Sequence, residues 1–403
     1  MSNSLRRTIR LFTGMQFLIG LIFTIPIWIP FYRQYISFSE IALLMSIQTF
    51  VNLVMQLPTG AFADIVGRRK SMMIGLVLQS IGALLVIINP GMGTFIVAAI
   101  VVGLGVSLVS GADTALVFDS LKEEGMESRF PNIIANSNFF FRIGMMIATF
   151  IGGLMYQYSQ QLPYIMKAIF IFLSVFTVYF IREPKIDSEK FTTRSFIFKM
   201  KSGFIELTKN AEMVKLTVFY VLMGSVSLVI ISYFIQPFSY EFNFTESQNG
   251  IIFSIVYFLY ASVMLVVTRY KKYFTKSKII IGFPLYLAFF LLTAILIPKE
   301  IAPVFILALM FPTGIRLSIF DKFVHDEFNS KNRATAMSSL SMLINIIYMI
   351  IVLIGGKIQD ANTISGTRVI FFGLGLICIL IIIPVSISLR RTLNNVIPAK
   401  AGI

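Results

Sequence analysis

Apolar residues run along the chain in blocks separated by short polar stretches. The blocks match the length of roughly 20 residues with which a helix crosses a hydrocarbon core of about 30 Å. Pro and Gly recur inside them, which spanning helices tolerate when neighbouring groups satisfy the freed backbone. The pattern predicts an all-α integral membrane protein with twelve spans, near 8–32, 40–62, 71–89, 94–118, 132–156, 162–181, 213–236, 247–268, 277–297, 302–320, 334–356 and 367–389.

One long polar stretch interrupts this pattern between the sixth and seventh spans. Within it, FIFKMKSGFIELTK (196–209) spaces apolar residues along one face of a helix with lysines between them. Such a helix lies in the membrane surface rather than across the bilayer. We therefore predict an N-terminal six-helix bundle (1–181), a cytoplasmic linker with an interfacial helix (182–212) and a C-terminal six-helix bundle (213–403).

The two sets of six spans resemble each other in sequence. Phe118-Asp119 returns as Phe320-Asp321, IGG at 151–153 returns at 354–356, and FSE at 38–40 is echoed by FTE at 244–246. The matches fall in corresponding spans at similar offsets. They predict an internal duplication and two pseudo-symmetric bundles, an arrangement that places a substrate site between the repeats near the middle of the membrane.

Composition agrees with a membrane protein and restricts its partners. The chain is 57% hydrophobic and 13% charged, whereas soluble domains carry about 25% charged residues. The net charge is +15, but most Lys and Arg residues lie in loops on the side of both termini, as the positive-inside rule requires. We predict a multi-pass protein of the cell membrane with both termini cytoplasmic, and no binding of nucleic acid.

Several chemistries are excluded by the residues that the chain lacks. It has one cysteine, Cys378, and one histidine, His325, so neither a disulfide framework nor a zinc site of protein ligands is expected. There is no HExxH and no GxxxxGK[ST] motif. We expect no metal, no cofactor, no enzymatic activity and no ATP-driven pumping.

The stretch GAFADIVGRRK (60–70) concentrates glycine and charge between the second and third spans. Gly60 would allow another helix to approach closely, and Gly67 suits a tight turn with positive φ. Asp64 would accept hydrogen bonds from the N–H groups that begin a neighbouring helix. Arg68 and Arg69 would bind headgroups or pair with an acid on another span.

This stretch resembles the loop signature G-x-x-x-D-x-x-G-R-R/K of the major facilitator superfamily. The family usually carries a base directly after the aspartate, where this chain has Ile65. The resemblance implies a twelve-helix secondary transporter in which the cluster acts as a conformational latch between the halves in the outward-open state. Its residues here would be Gly60, Asp64, Gly67, Arg68, Arg69 and Asp119.

The fifth span resembles a second pattern, G-x-x-x-G-P-x-x-G-G, found in drug antiporters of this superfamily. The chain reads GMMIATFIGG (144–153), so the glycines match while Ala148 and Thr149 replace the central Gly-Pro. The resemblance implies bacterial multidrug efflux; small residues also serve simply for close helix packing. We assign helix packing to Gly144, Gly152 and Gly153 and, in the eleventh span, to Gly355 and Gly356.

Ionisable residues inside the spans are costly and mark function by default. Asp113 in the fourth span and Arg142 in the fifth lie at matching depth, which predicts an ion pair that is either a structural staple or the coupling and substrate site. Arg316 in the tenth span has no obvious partner and suits an anionic group. Asn345 occupies the position that corresponds to Arg142 in the second half.

We predict a secondary transporter that works by alternating access. The leading function is efflux of a small amphipathic or drug-like molecule, driven by proton entry with Asp113 as the protonatable residue. Uptake of a metabolite or organic anion, with Arg142 and Arg316 as ligands, is the first alternative, and a lipid flippase is the second. The expected partners are the substrate, protons and the lipid bilayer, with the protein acting as a monomer.

Overall fold

The computed structural model of the chain describes residues 1–184, 193–269, 275–315, 328, 333–362 and 364–390. These residues form helices and connecting turns, and no strand occurs among them. The first-half helices are α1 (Asn3–Gly20), α2 (Trp28–Tyr32), α3 (Phe38–Val66), α4 (Arg68–Ile88), α5 (Met92–Val109), α6 (Ala112–Lys122), α7 (Phe130–Tyr158) and α8 (Leu162–Tyr179).

The second half contains the helices α9 (Thr193–Thr208), α10 (Ala211–Val229), α11 (Ile235–Tyr240), α12 (Glu246–Arg269), α13 (Lys276–Thr293), α14 (Ala302–Ile315), α15 (Arg333–Ala361) and α16 (Gly366–Ile377). A π-helical turn, Ile230–Phe234, joins α10 to α11, and another, Cys378–Ile382, follows α16.

The predicted all-α membrane fold is confirmed. Within the described residues, nine helices are long and apolar enough to cross a membrane, and Ala302–Phe311 is a shorter apolar helix. Each of the twelve predicted spans coincides with one or two of the helices, although the tenth is described only as far as residue 315. The linker also contains a helix, α9, over the predicted stretch.

The first span is not the continuous helix that we predicted. α1 ends at Gly20, and turns lead to the short α2. The sequence here is LIFTIPIW (21–28). Pro26 has no N–H to donate and its ring would clash with the carbonyl four residues earlier, so a helix cannot run through it unchanged.

The fourth span is also broken, which corrects the single helix predicted for 94–118. α5 ends at Val109 and α6 begins at Ala112. Between them Gly111 adopts φ +83°, a conformation that residues with a Cβ avoid. Asp113 therefore lies in the first turn of a new helix rather than in the middle of a long one.

The structure divides into two compact units. The first comprises Met1–Thr193 and Phe244–Ala261, and the second comprises Arg194–Asn243 and Ser262–Ile403. α12 is thus shared, its N-terminal part belonging to the first unit. The division into 1–181, 182–212 and 213–403 stays a prediction.

In the first unit, α4 packs against α3, α5 and α8, and α1 packs against α7 and α8. The buried core joins residues of these helices, among them Phe12, Met72 and Leu116, all at most 1% exposed. Serine hydroxyls add contacts between helices: Ser71 donates to the carbonyl of Leu108, and Ser80 donates to that of Ala168.

In the second unit, α10 packs against α15, and α13 packs against α16. The linker helix α9 belongs to this unit and touches α15 at Gly203. A Cβ added to Gly203 would lie 2.6 Å from Ser339 Oγ and 2.8 Å from the Thr335 carbonyl oxygen. Leu207 on the same helix is 1% exposed. α9 is therefore held by protein contacts, in addition to any contact with the membrane surface.

Candidate functional site

The loop between α3 and α4 lies at one end of the first unit, which we call the basic end. Gly67 separates the two helices with φ +103°, so the positive φ predicted for it is confirmed. Gly60 has open space around its Cα, and the close helix approach predicted there is not formed within the described residues. Asp64 is exposed on the last turn of α3.

A charge cluster forms at the basic end around Arg68 and Arg69. Arg68 Nη1 donates to Asp119 Oδ2 near the end of α6, and both side chains are mostly buried. Arg69 Nη1 donates to the carbonyl of Ile181 at 3.2 Å, beyond the end of α8. These contacts join the start of α4 to the ends of α6 and α8 within the first unit.

The acid that caps α4 is Glu183, a residue that sequence reasoning missed. Its Oε1 accepts from the N–H of Arg68 at 2.7 Å, and its Oε2 accepts from the N–H of Arg69 at 2.9 Å. The first N–H groups of a helix lack partners within the helix and attract negative charge. The sequence pattern predicts this kind of contact for Asp64 instead. The sequence feature that could have indicated Glu183 is an acid in REPK (182–185), directly after the sixth predicted span.

The predicted glycine contacts lie along α7. A Cβ added to Gly144 would lie 2.6 Å from the carbonyl oxygen of Phe17, and one added to Gly152 would overlap that of Phe23. Gly153 lies against α12, where an added Cβ would overlap the carbonyl oxygen of Glu246. The glycines thus lie at two helix seams of the first unit.

In the second unit, Gly355 lies against the ring of Phe234 in the π-helical turn, where an added Cβ would overlap Phe234 Cζ. Gly356 is buried beside it on α15. Asn345, on the same helix, donates from Nδ2 to the carbonyl of Ser341 at 2.8 Å, so its amide is bonded to its own helix. Arg316 and Asp321 lie outside the described residues.

Asp113 lies where the fourth span is broken, beside α1. Its Oδ1 accepts from the N–H of Thr114 at 2.6 Å, and its Oδ2 accepts from Gln16 Nε2 at 3.4 Å. The start of α6 places the positive end of a helix dipole next to the carboxylate. Half-helix ends inside a membrane are typical positions for transporter binding sites.

Arg142 does not pair with Asp113, although both residues are described, so the predicted ion pair is not formed. Its guanidinium instead lies over the ring of Tyr260, with Cζ 5.1 Å from the ring centroid. Tyr257 lies next to Tyr260, with the centroids of the two rings 6.1 Å apart. Neither tyrosine was singled out from the sequence, although their i, i+3 spacing on α12 was available as a signal.

Asp113 and Arg142 nevertheless lie at one level of the first unit. α1 and α7 run side by side: the hydroxyls of Thr13 and Ser137 are 3.1 Å apart, and Gly20 lies against Phe141. Gln16, the partner of Asp113, lies between these contacts. At a rise of 1.5 Å per residue, it is within about one helical turn of the level of Arg142.

A cavity of about 510 Å³ lies at the basic end of α1 and α7. Its described lining combines apolar side chains with Arg129, Asn132 and Asn136. Asn132 is ten residues before Arg142 on α7, which is about 15 Å along the axis. The cavity therefore gives polar surface on the same helix as Arg142, nearer the basic end.

A buried acid, Glu241, lies in the other unit, just after α11. Glu241 Oε1 accepts from the N–H of Thr367 at 2.5 Å, and its Oε2 is 3.5 Å from Arg368 Nε. Its side chain is 4% exposed. Burial raises the pKa of Glu241 from its ordinary 4.5 to about 7, because the loss of water outweighs the hydrogen bonds from Thr367 and the charge of Arg368.

Comparison with known proteins identifies the class to which this arrangement belongs. Residues 11–321 match the model of the Major Facilitator Superfamily. The chain belongs to this family of membrane transporters.

Particular relatives agree with that assignment. The chain is 22% identical over 258 residues to a protein described as an uncharacterized MFS-type transporter, YxaM, of Bacillus subtilis (strain 168). That match spans 62% of this chain and 63% of the relative's length. The solved nucleoside transporter NupG has a similar fold, with a TM-score of 0.74 at 15% identity over 97% of this chain and 99% of that one. A solved D-xylose-proton symporter has a TM-score of 0.69 at 13% identity over 95% and 98%.

Proposed function

We propose that the protein is a proton-coupled transporter of a small organic molecule, with Asp113 as the residue that takes up and releases the proton. The observation that carries the proposal is the placing of Asp113 at the start of a half-helix, without an ion pair to any described residue. A carboxylate held by arginine keeps its charge, whereas one without a cation can exchange a proton. Intramembrane acids serve as proton relays in pumps and transporters.

The same proposal sets the protein in the cell membrane as a monomer with both termini cytoplasmic. The positive-inside bias supports this orientation. The basic end then faces the cytoplasm, and the conformational latch that the resemblance implies acts there, formed by Gly60, Asp64, Gly67, Arg68, Arg69 and Asp119. The chain works as two bundles (1–181 and 213–403) joined by the linker 182–212, and alternating access moves the substrate without enzymatic chemistry.

Two directions of transport follow from different observations. Efflux of an amphipathic compound is the direction predicted from the glycines of the fifth span. Uptake is supported by the uninterrupted α7, which lacks the Gly-Pro of drug antiporters. It is also supported by the two similar solved structures, which are a nucleoside transporter and a D-xylose-proton symporter. Proton movement in the same direction as the solute, or in the opposite direction, distinguishes them.

Proton flux is measured in membrane vesicles with a pH-sensitive dye while solutes from a panel of nucleosides, sugars, organic acids and amphipathic dyes are added. At least one solute should drive proton movement through the wild type and not through Asp113→Asn. Glu300→Gln, at an exposed acid in a loop, is the matched control and should behave as the wild type. Solute-driven proton movement that survives in Asp113→Asn contradicts the proposal.

Right-side-out and everted vesicles separate the directions. With acid outside, accumulation in right-side-out vesicles supports uptake together with the proton; with acid inside, accumulation in everted vesicles supports efflux in exchange for the proton. Accumulation that is independent of a proton gradient in both preparations contradicts proton coupling.

A further inference from the structure

Arg142 is the feature of the spans that proton coupling leaves unexplained. The guanidinium lies on the spanning helix α7, and in the described part of the chain no hydrogen bond or ion pair engages it. A cation in a span is retained at a cost and marks a substrate or ion pathway by default. Its observed contact, with the ring of Tyr260, uses one face of the guanidinium and leaves its N–H donors for another group.

We propose that Arg142 binds the carboxylate of a small organic anion, with Tyr260 as the platform that orients the guanidinium; this names the substrate class and rests on the proposed transport function. The planar guanidinium presents paired donors that match the two oxygens of a carboxylate. Stacking on an aromatic ring fixes the plane of the guanidinium without using those donors.

The neighbourhood supplies the other requirements of an anion site. Tyr260 and Tyr257 are 3% and 8% exposed, so the ring under Arg142 is held by packing. The cavity at the basic end of α1 and α7 is lined by Arg129 and two asparagines, which favour an anion that approaches along α7. A buried carboxylate without paired donors would be far less favourable.

Asp113 and Arg142 lie at a similar depth in the first unit, so binding of the proton at one affects binding of the anion at the other. When Asp113 is protonated and neutral, the positive charge of Arg142 is not balanced by Asp113. A bound organic anion then neutralises it. When Asp113 is ionised, its negative charge opposes a second one nearby. The proton and the organic anion therefore favour each other's binding, and the pair enters without net charge.

Binding is tested on the full chain in nanodiscs, by thermal unfolding followed through the fluorescence of Trp28, the single tryptophan. The probes are benzoate and its neutral analogue benzamide. Benzoate should raise the unfolding temperature of the wild type, and benzamide should not. In Arg142→Gln the apparent affinity for benzoate should fall on the order of tenfold to a hundredfold, because a charged hydrogen-bonded pair is lost. Arg142→Lys keeps the positive charge but loses the paired N–H donors of the guanidinium. Its affinity for benzoate should lie between those of the wild type and Arg142→Gln.

Arg33 provides the matched control. It also lies over a ring, that of Phe38, at 4.4 Å, but its Nη1 already donates to the carbonyl of Ile36 at 3.0 Å. Arg33→Gln should keep the benzoate effect. Tyr260→Phe keeps the ring and should retain benzoate binding, whereas Tyr260→Leu should weaken it.

The outcomes separate this inference from the proposed function. Benzoate binding that persists in Asp113→Asn but is lost in Arg142→Gln supports the anion site even where proton flux fails. Equal stabilisation by benzoate and benzamide, no stabilisation by benzoate, or an unchanged benzoate effect in Arg142→Gln overturns the anion site, whatever the proton assay shows.

Discussion

Gly152 packs directly against the backbone of the first span. The Cβ of any other residue at this position would overlap that backbone. The obstructing atom is the carbonyl oxygen of Phe23, which belongs to the main chain and cannot rotate away. Overpacking of this kind costs about 1–3 kcal/mol. The seam between α7 and the first span therefore depends on glycine at this position.

Gly152→Ala should reduce the free energy of unfolding by about 1–3 kcal/mol. This should appear as a lower unfolding temperature of the protein in nanodiscs. Gly14→Ala is the control, because no atom lies within 4 Å of the position that its added Cβ would occupy. At an open helical position alanine is favoured over glycine by up to about 1 kcal/mol. Equal destabilisation by both substitutions would show that the seam is not responsible.

Glu183 gives a second prediction for a single residue. Glu183→Ala should cost about 1–2 kcal/mol, because two N–H groups at the start of α4 lose their acceptor and the helix dipole loses a favourable charge. Hydrogen exchange followed by mass spectrometry should show faster exchange in the first turn of α4. Glu127→Gln, outside this cluster, should leave that turn unchanged. Protection that is unaltered in Glu183→Ala would contradict the capping role.

Among the elements, the interrupted helices follow the internal repeat. Gly152 of the fifth span packs against Phe23 in the break of the first, and Gly355 of the eleventh packs against Phe234 in the π-helical turn of the seventh. Each repeat thus places an IGG glycine at the irregular point of its own first helix. This agreement supports the predicted duplication, and each contact lies within one unit.

The helix caps follow the repeat less closely. Ser37 and Glu40 form a capping box at the start of α3, and Thr245 and Gln248 form the reciprocal pair at the start of α12. Relative to the matched FSE and FTE letters, the second cap is shifted by two residues. The device is common to both helices, but the sequence match alone would assign it to the wrong residues.

The break in the fourth span allows a test at Gly111. Gly111→Ala meets no atom within 4 Å, but φ +83° strains any residue with a Cβ by about 1–2 kcal/mol. The change should reduce solute-driven proton flux, because Asp113 follows directly on the first turn of α6. Gly93→Ala in α5, with equal space and no positive φ, should keep the flux. Proton flux in Gly111→Ala equal to that of the wild type would show that the helix break is not needed for proton coupling.

For the whole molecule, Glu241 predicts how stability depends on pH. The folded protein holds the proton of Glu241 up to about pH 7, whereas the ordinary pKa is 4.5. Between these values the native state binds more protons than the unfolded chain, so stability falls as the pH rises through this window. The unfolding temperature should be higher near pH 5 than near pH 7.5.

Glu241→Gln should remove that component, since the amide does not titrate in this range. Glu300→Gln, at an exposed position, is the control and should keep the wild-type pH dependence. A difference between the two pH values that is as large in Glu241→Gln as in the wild type would refute the assignment.

Sequence periodicity was sufficient for the spans, because roughly twenty apolar residues have few alternatives to a spanning helix. The loop pattern also located Gly67, and the resemblance to the family indicated that Asp119 pairs with Arg68 or Arg69, of which the structure shows Arg68. The sequence did not indicate Glu183 or Tyr260, because neither belongs to a motif and their partners, Arg68 and Arg142, are distant along the chain. Pairing of Asp113 with Arg142 was inferred from depth alone, which does not determine the direction of a side chain on its helix.

The contact of α9 with α15 at Gly203 has a practical consequence for anyone who divides the polypeptide. The second unit begins at Arg194. A chain break after Thr208 would therefore leave α9 on the N-terminal fragment, separated from α15, against which it packs. A cut placed ahead of α9 would leave its docking surface and its helix in one piece. Two such fragments, coexpressed from separate genes, would still have to meet through the part of α12 that packs on α7.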